Sequence, residues 1–372
     1  MKIELAEKLI ACENTIIRAF VGLDGFIDEV VHVVDKRLCP DTFDRVKTLK
    51  AYGERIAASS GLSSNVEMVS VDRKLGGNGP IFALSLKKLN ANITYMGCVG
   101  VDTYDNVFSE LVEGSDIIGI GQPSHTDAIE FDDGKIISSK LNSLNSLLWS
   151  DITNKISPQN LAQIFDKMHL ISLNNWTMIP AMNDIWKHII DDVLPLMNSS
   201  LGDKVLFLDI ADPEKRDRKD ILEALELMGK FEDAGLKTVL GLNKKEACEI
   251  AELFGQTFTA KESSNLKDLV EFLSLKLRVS CIVVHPADSA GCVKNGVYYE
   301  IEGPYCSQPK LLTGAGDNFN SGFIFGYVQG FDISQCLLAG VACSGYYVRE
   351  CKSPSTKELS EFLKKWDAGQ LI

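Results

Sequence analysis

The chain has 372 residues, of which 45% are hydrophobic, and it carries 51 acidic against 38 basic residues for a formal net charge of −13. This composition is ample for a buried core and shows no basic cluster of the kind that binds nucleic acid. The sequence also lacks an apolar run of 18 residues and an N-terminal signal core, so we expect a cytoplasmic protein that binds neither membranes nor nucleic acid.

Short apolar runs alternate with helical patterns along most of the chain. Several runs are continuously apolar, as in strands that are buried on both faces. The predicted strands are 16–21, 93–99, 169–173, 205–209, 238–242 and 281–285. The predicted helices between and after them are 81–89, 157–167, 184–197, 221–227, 244–254, 266–277 and 318–330. This alternation predicts an α/β fold with a mostly parallel sheet, and ligands usually bind such sheets at the carboxyl ends of the strands.

Three segments break the pattern because polar and apolar residues alternate in them. They lie around 29–36, 66–75 and 125–140, the last with Asp132-Asp133-Gly134-Lys135 as a hairpin turn. Alternation indicates one wet face, so we predict strands of a small lid.

The ten cysteines include no C-x-x-C pair, and Cys98, Cys281 and Cys343 fall in apolar stretches. We expect buried or free thiols in a reducing compartment, and neither disulfides nor a zinc site.

Two segments near the N-terminus combine glycine with polar side chains. Asp24 and Asp28 follow the first predicted strand, where they would either bind a polyol or remain solvated loop acids. Gly76, Gly77 and Asn78 precede a helix, with Asn78 suited to cap it. This second segment is either a tight turn into the helix or a binding segment. In the second case its glycines would leave room for a substrate, and the Asn78 amide would bind the substrate hydroxyls.

Two further segments follow the strands at 238–242 and 281–285. Asn243 and Glu246 have the spacing of a capping box, and the alternative is a carboxylate that organises hydrated Mg2+ near a triphosphate. The segment from His285 to Gly291 is either a loop on the nucleotide side or a plain turn into a hairpin with Asn295-Gly296 at its tip.

The most informative segment runs from Thr313 through Gly314, Ala315 and Gly316 to Asp317, directly before an apolar helix. Glycines let the backbone approach an anion closely, and the free N–H groups of a first helical turn attract phosphate. Asp317 would then take the proton from a hydroxyl that attacks the phosphate, or it would only cap the helix. The chain lacks both a G-x-x-x-x-G-K-[ST] and, after the first strand, a G-x-G-x-x-G motif, so neither a P-loop enzyme nor a dinucleotide fold is supported.

In this order, the segments resemble the ribokinase-like (PfkB) carbohydrate kinase family over nearly the whole chain. The resemblance rests on three motifs: Gly-Ala-Gly-Asp ending at Asp317, Gly76-Gly77-Asn78 with the helix and strand after it, and Asn243-x-x-Glu246. It implies a three-layer fold in which helices flank a mostly parallel central sheet, as one kinase domain over residues 1–372 with the small lid. It also implies transfer of a phosphoryl group from ATP, with Mg2+, to a hydroxyl of a small sugar or nucleoside.

The resemblance also assigns roles to the residues of these motifs. Asp317 would be the base, and the amides of Gly314, Ala315 and Gly316 would form an anion hole. Asn243 and Glu246 would hold Mg2+ through water. Two further groups are expected to bind ligands: Thr313, His285 and Gly291 the nucleotide, and Asp24, Asp28, Gly76, Gly77 and Asn78 the substrate.

The sequence departs from the family at four places, one of which is a slightly longer spacing from Gly22 to Asp28. Leu311 replaces an aspartate that commonly helps to hold potassium, so dependence on a monovalent cation is left open. The usual Thr-x-Gly-x-x-Gly nucleotide loop is replaced by bulkier residues after His285, and Asn320 stands where a small residue is usual.

Three functions compete at this point: a sugar kinase, a nucleoside kinase, and a non-catalytic homologue that binds a ligand and regulates a partner. Retention of Asp317 argues against the last of these. Alternating strands with one apolar face often pair with a copy of themselves, so we also predict a homodimer through the lid.

Overall fold

The computed structural model describes residues 1–12, 15–259 and 265–371. Within them, nine strands form a large sheet in the order β14-β13-β12-β11-β10-β9-β1-β5-β6. The seven strands from β12 to β6 are parallel, and β13 and β14 form an antiparallel edge. The strands are β1 (Ile17–Leu23), β5 (Ala91–Gly97), β6 (Asp116–Gly119), β9 (Leu170–Leu173), β10 (Val205–Asp209), β11 (Lys237–Asn243), β12 (Cys281–His285), β13 (Ser289–Lys294) and β14 (Val297–Glu302).

Helices cover both faces of this sheet. One face packs against α1 (Lys2–Ala11), α3 (Asn78–Lys88), α12 (Ala315–Val328), α13 (Ile333–Glu350) and α14 (Thr356–Asp367). The other packs against α7 (Pro158–Lys167), α8 (Met182–His188), α9 (Arg218–Asp233), α10 (Lys244–Leu253) and α11 (Leu266–Lys276). Short helices connect these elements: α2 (Leu49–Ala58), α4 (Ser109–Val112), α5 (Asn142–Asn145) and α6 (Trp149–Thr153).

The central strands supply side chains to both hydrophobic layers. In β10, Leu206 and Leu208 pack into the α7–α11 layer, whereas Val205 and Phe207 pack into the α1–α14 layer. Successive side chains of a strand point to opposite faces, so a strand buried on both sides must be apolar throughout. The predicted three-layer α/β fold with a mostly parallel sheet is confirmed.

A second, smaller sheet is built around the long strand β2 (Phe26–Cys39). The first half of β2 pairs with β4 (Met68–Gly76) and β7 (Ser124–Phe131), and its second half pairs with β3 (Thr42–Arg45). Strand β8 (Gly134–Lys140) completes the sheet through a hairpin with β7. These strands fall in or beside the three segments in which the alternating pattern predicted lid strands.

One predicted helix is shorter in the structure than in the sequence interpretation. The pattern predicted a helix over 184–197, but α8 ends at His188 and continues as a π-helical turn over Ile189–Val193 and a 3₁₀ turn over Leu194–Leu196. Pro195 lies in the last turn and has no N–H to donate, so a regular α-helix cannot continue there.

The two predicted hairpin turns agree with the structure. The β7–β8 hairpin turns at Asp132-Asp133, and the β13–β14 hairpin turns at Asn295-Gly296, where both residues have positive φ. All ten cysteines are free thiols, and Cys98, Cys281 and Cys343 are buried. None of the described helices is long and apolar enough to cross a bilayer.

Candidate active site

The N-terminus of α12 forms the centre of the site. Gly314 caps this helix with φ of +91°, a conformation that favours glycine, and a side chain there would also press on the Tyr347 hydroxyl. The N–H of Ala315 donates to the carbonyl of Leu312 at 3.1 Å, so this one of the three predicted anion-hole amides is already engaged. Within the described chain, the N–H groups of Gly316 and Asp317 have no acceptor, as is normal in a first helical turn.

Asp317 is buried one turn into α12, and its carboxylate meets a residue from the other end of the chain. Its Oδ1 accepts a hydrogen bond from Nδ2 of Asn78, 3.1 Å away. Burial raises the pKa of Asp317 well above its ordinary value, and the charges of Asp209 and Asp24 add to this, while the Asn78 amide opposes it. A carboxyl with a raised pKa is a stronger base, which suits proton abstraction near neutral pH.

The glycine turn before α3 differs from the sequence prediction in one respect. Gly77, with φ of +95°, is the N-cap, and Asn78 is already the first helical residue. Asn78 makes no capping bond, because its side chain spans to Asp317 instead. The prediction that Asn78 caps this helix is therefore wrong.

The buried carboxylate of Asp24 holds this turn in place through a hydrogen bond from its backbone. It has no exposed surface, and it accepts hydrogen bonds from the Gly79 N–H at 2.9 Å and from Asn175 Nδ2 at 2.5 Å. Burial raises its pKa to about 6, against the effect of these hydrogen bonds. Asn175 was not found from the sequence, although it follows the end of β9, where ligand-binding residues of such sheets gather.

Asp28 lies in β2, where β4 brings Gly76 beside it. A Cβ at position 76 would overlap the Asp28 carboxylate, so any larger residue there would displace that side chain. Burial raises the pKa of Asp28, whereas the charges of Lys74 and Lys135 and a hydrogen bond from Thr126 lower it. Asp28 is half-buried, and the charges of Lys74 and Lys135 favour its ionised form.

A second pair of carboxylates lies at the ends of β10 and β11. Asn243 and Glu246 form the predicted capping box, and Glu246 Oε1 also accepts the Asp212 N–H at 3.0 Å. Asp209 accepts Asn320 Nδ2 at 2.8 Å, and burial together with the Glu246 charge raises its pKa well above the ordinary value. The sequence analysis missed Asp209, although its place as the last residue of a parallel strand was a usable signal.

This acid pair also bears on metal binding. Within the described residues, no cluster of three or more His, Cys, Asp or Glu side chains could hold a metal by itself. Two buried carboxylates that interact nevertheless suit Mg2+, which keeps most of its waters and is usually held by one or two carboxylates together with phosphates.

A cavity of about 670 Å³ opens beside the first turn of α12. Its lining includes His285, which was expected to bind the nucleotide, Asn243, which was expected to hold Mg2+ through water, and Gly316 of the predicted anion hole. His285 packs against the Phe319 ring at 4.5 Å, and burial lowers its pKa to about 4, so the imidazole is neutral at pH 7.

Two residues expected near the nucleotide are not among the residues that line this cavity. Gly291 pairs with Val284 inside the β12–β13 ladder and is covered by Tyr298 and Leu266, so it is outside the cavity lining. Thr313 faces the small sheet, and its hydroxyl accepts a hydrogen bond from Lys135.

Comparison with known proteins identifies the family of the chain. The sequence model of the prokaryotic ketohexokinase family matches residues 5–366. A ketohexokinase from Haloferax volcanii is 27% identical over 347 residues, which cover 93% of this chain and 90% of that protein. A nucleoside kinase from Methanocaldococcus jannaschii is 24% identical over 311 residues, covering 82% and 87%.

Solved structures show the same fold. Arabidopsis thaliana ribokinase, complexed with ribose and ATP, superposes with a TM-score of 0.63 at 16% identity and covers 94% of this chain and 98% of that one. A probable sugar kinase from Rhizobium etli gives a TM-score of 0.63 at 18% identity, covering 95% and 99%. The chain therefore belongs to the prokaryotic ketohexokinase family within the ribokinase-like (PfkB) kinases, and it is a carbohydrate kinase.

Proposed function

We propose that this protein transfers the γ-phosphoryl group of ATP to a hydroxyl of a ketohexose. The substrate class follows from the family match and from the Haloferax relative. The observation that carries the chemistry is the contact between Asp317 and Asn78 at the N-terminus of α12, beside a cavity large enough for a nucleotide.

Asp317 accepts the proton of the attacking hydroxyl. As that oxygen bonds to the γ-phosphorus, the bond from phosphorus to the bridging oxygen breaks, and the electron pair leaves with ADP. The N–H groups of Gly316 and Asp317 and the dipole of α12 stabilise the negative charge on the transferring group. Asn78 holds the Asp317 carboxylate in position through its amide.

Glu246 and Asp209, with Asn243 through water, are the residues that would hold Mg2+. When bound, Mg2+ neutralises charge on the polyphosphate. Burial and the charge of Glu246 raise the pKa of Asp209, and a cation bound by the two carboxylates would offset this repulsion.

We further propose that the small sheet is a lid within one kinase domain spanning residues 1–372. It carries Asp28 and Gly76, the residues that would bind the sugar, and it contacts the catalytic segment through Lys135. Substrate closure under such a lid excludes water from phosphoryl transfer.

The small sheet is also the surface through which we propose a homodimer. Strand β8 is exposed along its whole length, including Ile136 and Ile137. Light scattering tests this: a mass twice the 40.9 kDa of the chain is expected, and a monomer would end the idea.

The central test measures ADP release with Mg-ATP across ketohexoses, aldohexoses and nucleosides. We expect turnover with a ketohexose, and loss of a factor of about 10²–10⁴ in kcat for Asp317→Asn, since a general base contributes that much. Asp367→Asn, at the exposed end of α14, is the control and should behave as wild type. Turnover confined to nucleosides would instead favour the activity named for the Methanocaldococcus relative.

A further inference from the structure

Lys244 is a buried lysine that lines the cavity beside α12. It is the first residue of α10, directly after the Asn243 cap, and only 6% of it is exposed. Its Nζ is shielded from solvent and has no hydrogen-bond partner among the residues that the structure describes.

This placement is unfavourable for the protein alone. An ammonium group removed from water without a partner is costly, and the positive end of a helix dipole repels a cation. The next residue shows the ordinary alternative: Lys245 is exposed and forms ion pairs with Glu214 at 2.5 Å and Glu249 at 3.5 Å. A buried polar group without a partner calls for a functional explanation.

The composition of the cavity indicates what would compensate this charge. Among the described residues that line it, Lys244 is the one fixed cation, since His285 is neutral at pH 7, and Asp288, which is exposed, is the one acid. The backbone of Ala315 and Gly316, at the positive end of α12, borders the same space. Two sources of positive potential around one cavity suit an anion.

We propose that the Lys244 side chain, whose ammonium is shielded in the free protein, turns toward this cavity and binds the polyphosphate of the nucleotide, so that it fixes the position of the phosphoryl donor. The inference rests on the proposed function, in that the cavity is taken to hold the nucleotide. Lys244 is thus buried without a partner in the free protein because the ligand supplies the partner.

The test compares Lys244→Met, which keeps the length and apolar stem of the side chain, with Lys245→Met as the matched control. Calorimetry measures the affinity for ADP and for adenosine in the presence of Mg2+, and thermal unfolding measures Tm without ligand. For Lys244→Met we expect a 10- to 100-fold loss of ADP affinity, adenosine affinity within twofold of wild type, and a raised Tm. Lys245→Met should leave both affinities unchanged.

The possible outcomes separate this inference from the proposed function. If the wild-type protein binds neither ADP nor ATP, the cavity does not take the nucleotide, and both ideas fail. If the wild type binds ADP and Lys244→Met binds it equally well, only the role of Lys244 is overturned. If Lys244→Met and a second variant, Lys244→Gln, both lower Tm or fail to fold, Lys244 is structural and the inference is again overturned.

Discussion

The ammonium of Lys135, at the tip of the β7–β8 hairpin, donates a hydrogen bond to the hydroxyl of Thr313 at 2.9 Å. These residues are 178 positions apart, and both are exposed. The carbonyl of Thr313 in turn accepts a hydrogen bond from the Tyr347 hydroxyl at 2.9 Å. The small sheet is therefore joined to the segment that precedes α12.

Removing the hydrogen bond between Lys135 and Thr313 should weaken catalysis without affecting the fold. We expect Lys135→Met to lower kcat/KM for the sugar about tenfold, because one hydrogen bond to a charged group contributes roughly 1.5–3 kcal/mol and this one is exposed. Steady-state kinetics measures the effect. Lys140→Met is the control, since Lys140 lies on the same strand but pairs with Asp127 away from Thr313; equal losses in the two variants would refute a specific role for Lys135.

Gly76→Ala should impair sugar binding while leaving the nucleotide side intact. The added Cβ would overlap the Asp28 carboxylate, so that carboxylate must move. We expect KM for the sugar to rise about tenfold or more and ADP affinity to stay within twofold, as measured by kinetics and calorimetry. Gly53→Ala, where a Cβ meets nothing within 4 Å, should change neither quantity. A Gly76→Ala variant with an unchanged KM would remove Asp28 from the proposed sugar site.

Asp24 should make the folded state less stable as the pH rises. Burial raises its pKa to about 6, whereas in the unfolded chain the value is near 4, so between these values the folded protein binds more protons. This contribution to stability is full below about pH 4 and is lost as the pH rises through 6.

Urea unfolding at pH 5 and pH 8 measures this contribution. From the two pKa values, Asp24→Asn should reduce the loss of unfolding free energy between these pH values by about 1 kcal/mol. Only the difference between the two pH values is compared, since the substitution also alters the bonds to Gly79 and Asn175. Asp367→Asn should show the wild-type difference, and an unchanged difference in Asp24→Asn would show that Asp24 does not titrate in this range.

Glu246→Gln should affect both stability and the requirement for Mg2+. Glu246 accepts two backbone N–H groups, from Asn243 and Asp212, and glutamine can accept only one of them with its oxygen. We expect a loss of about 1–3 kcal/mol in unfolding free energy and a roughly tenfold higher Mg2+ concentration for half-maximal activity. Glu252→Gln, on an exposed position of α10, is the control. Lower stability with an unchanged Mg2+ requirement would leave Glu246 as a helix cap only.

The fold was predictable because its central strands are apolar throughout, whereas the small sheet gave a weaker signal, since β8 and most of β4 are exposed. Local chemistry was also readable where a motif is contiguous, as with the Asn243–Glu246 capping box. The contacts that arrange the site could not be predicted from the sequence, because they join distant segments. Asn175 donates to Asp24 across 151 positions, and Asn320 donates to Asp209 across 111 positions. Asn78 shows the same limit. Its residue type is typical of a helix cap, but its side-chain amide donates to Asp317, which lies 239 positions away.

Asn78 and Asp317 are 239 positions apart, so a ribosome adds Asn78 to a new chain well before it adds Asp317. At ribosomal rates of about 5–20 residues per second, Asn78 is synthesised roughly 10–50 s before its carboxylate partner. During that interval the residues proposed to bind the sugar exist without the base. On the proposed mechanism, a nascent or prematurely terminated chain that lacks Asp317 would have no base for phosphoryl transfer.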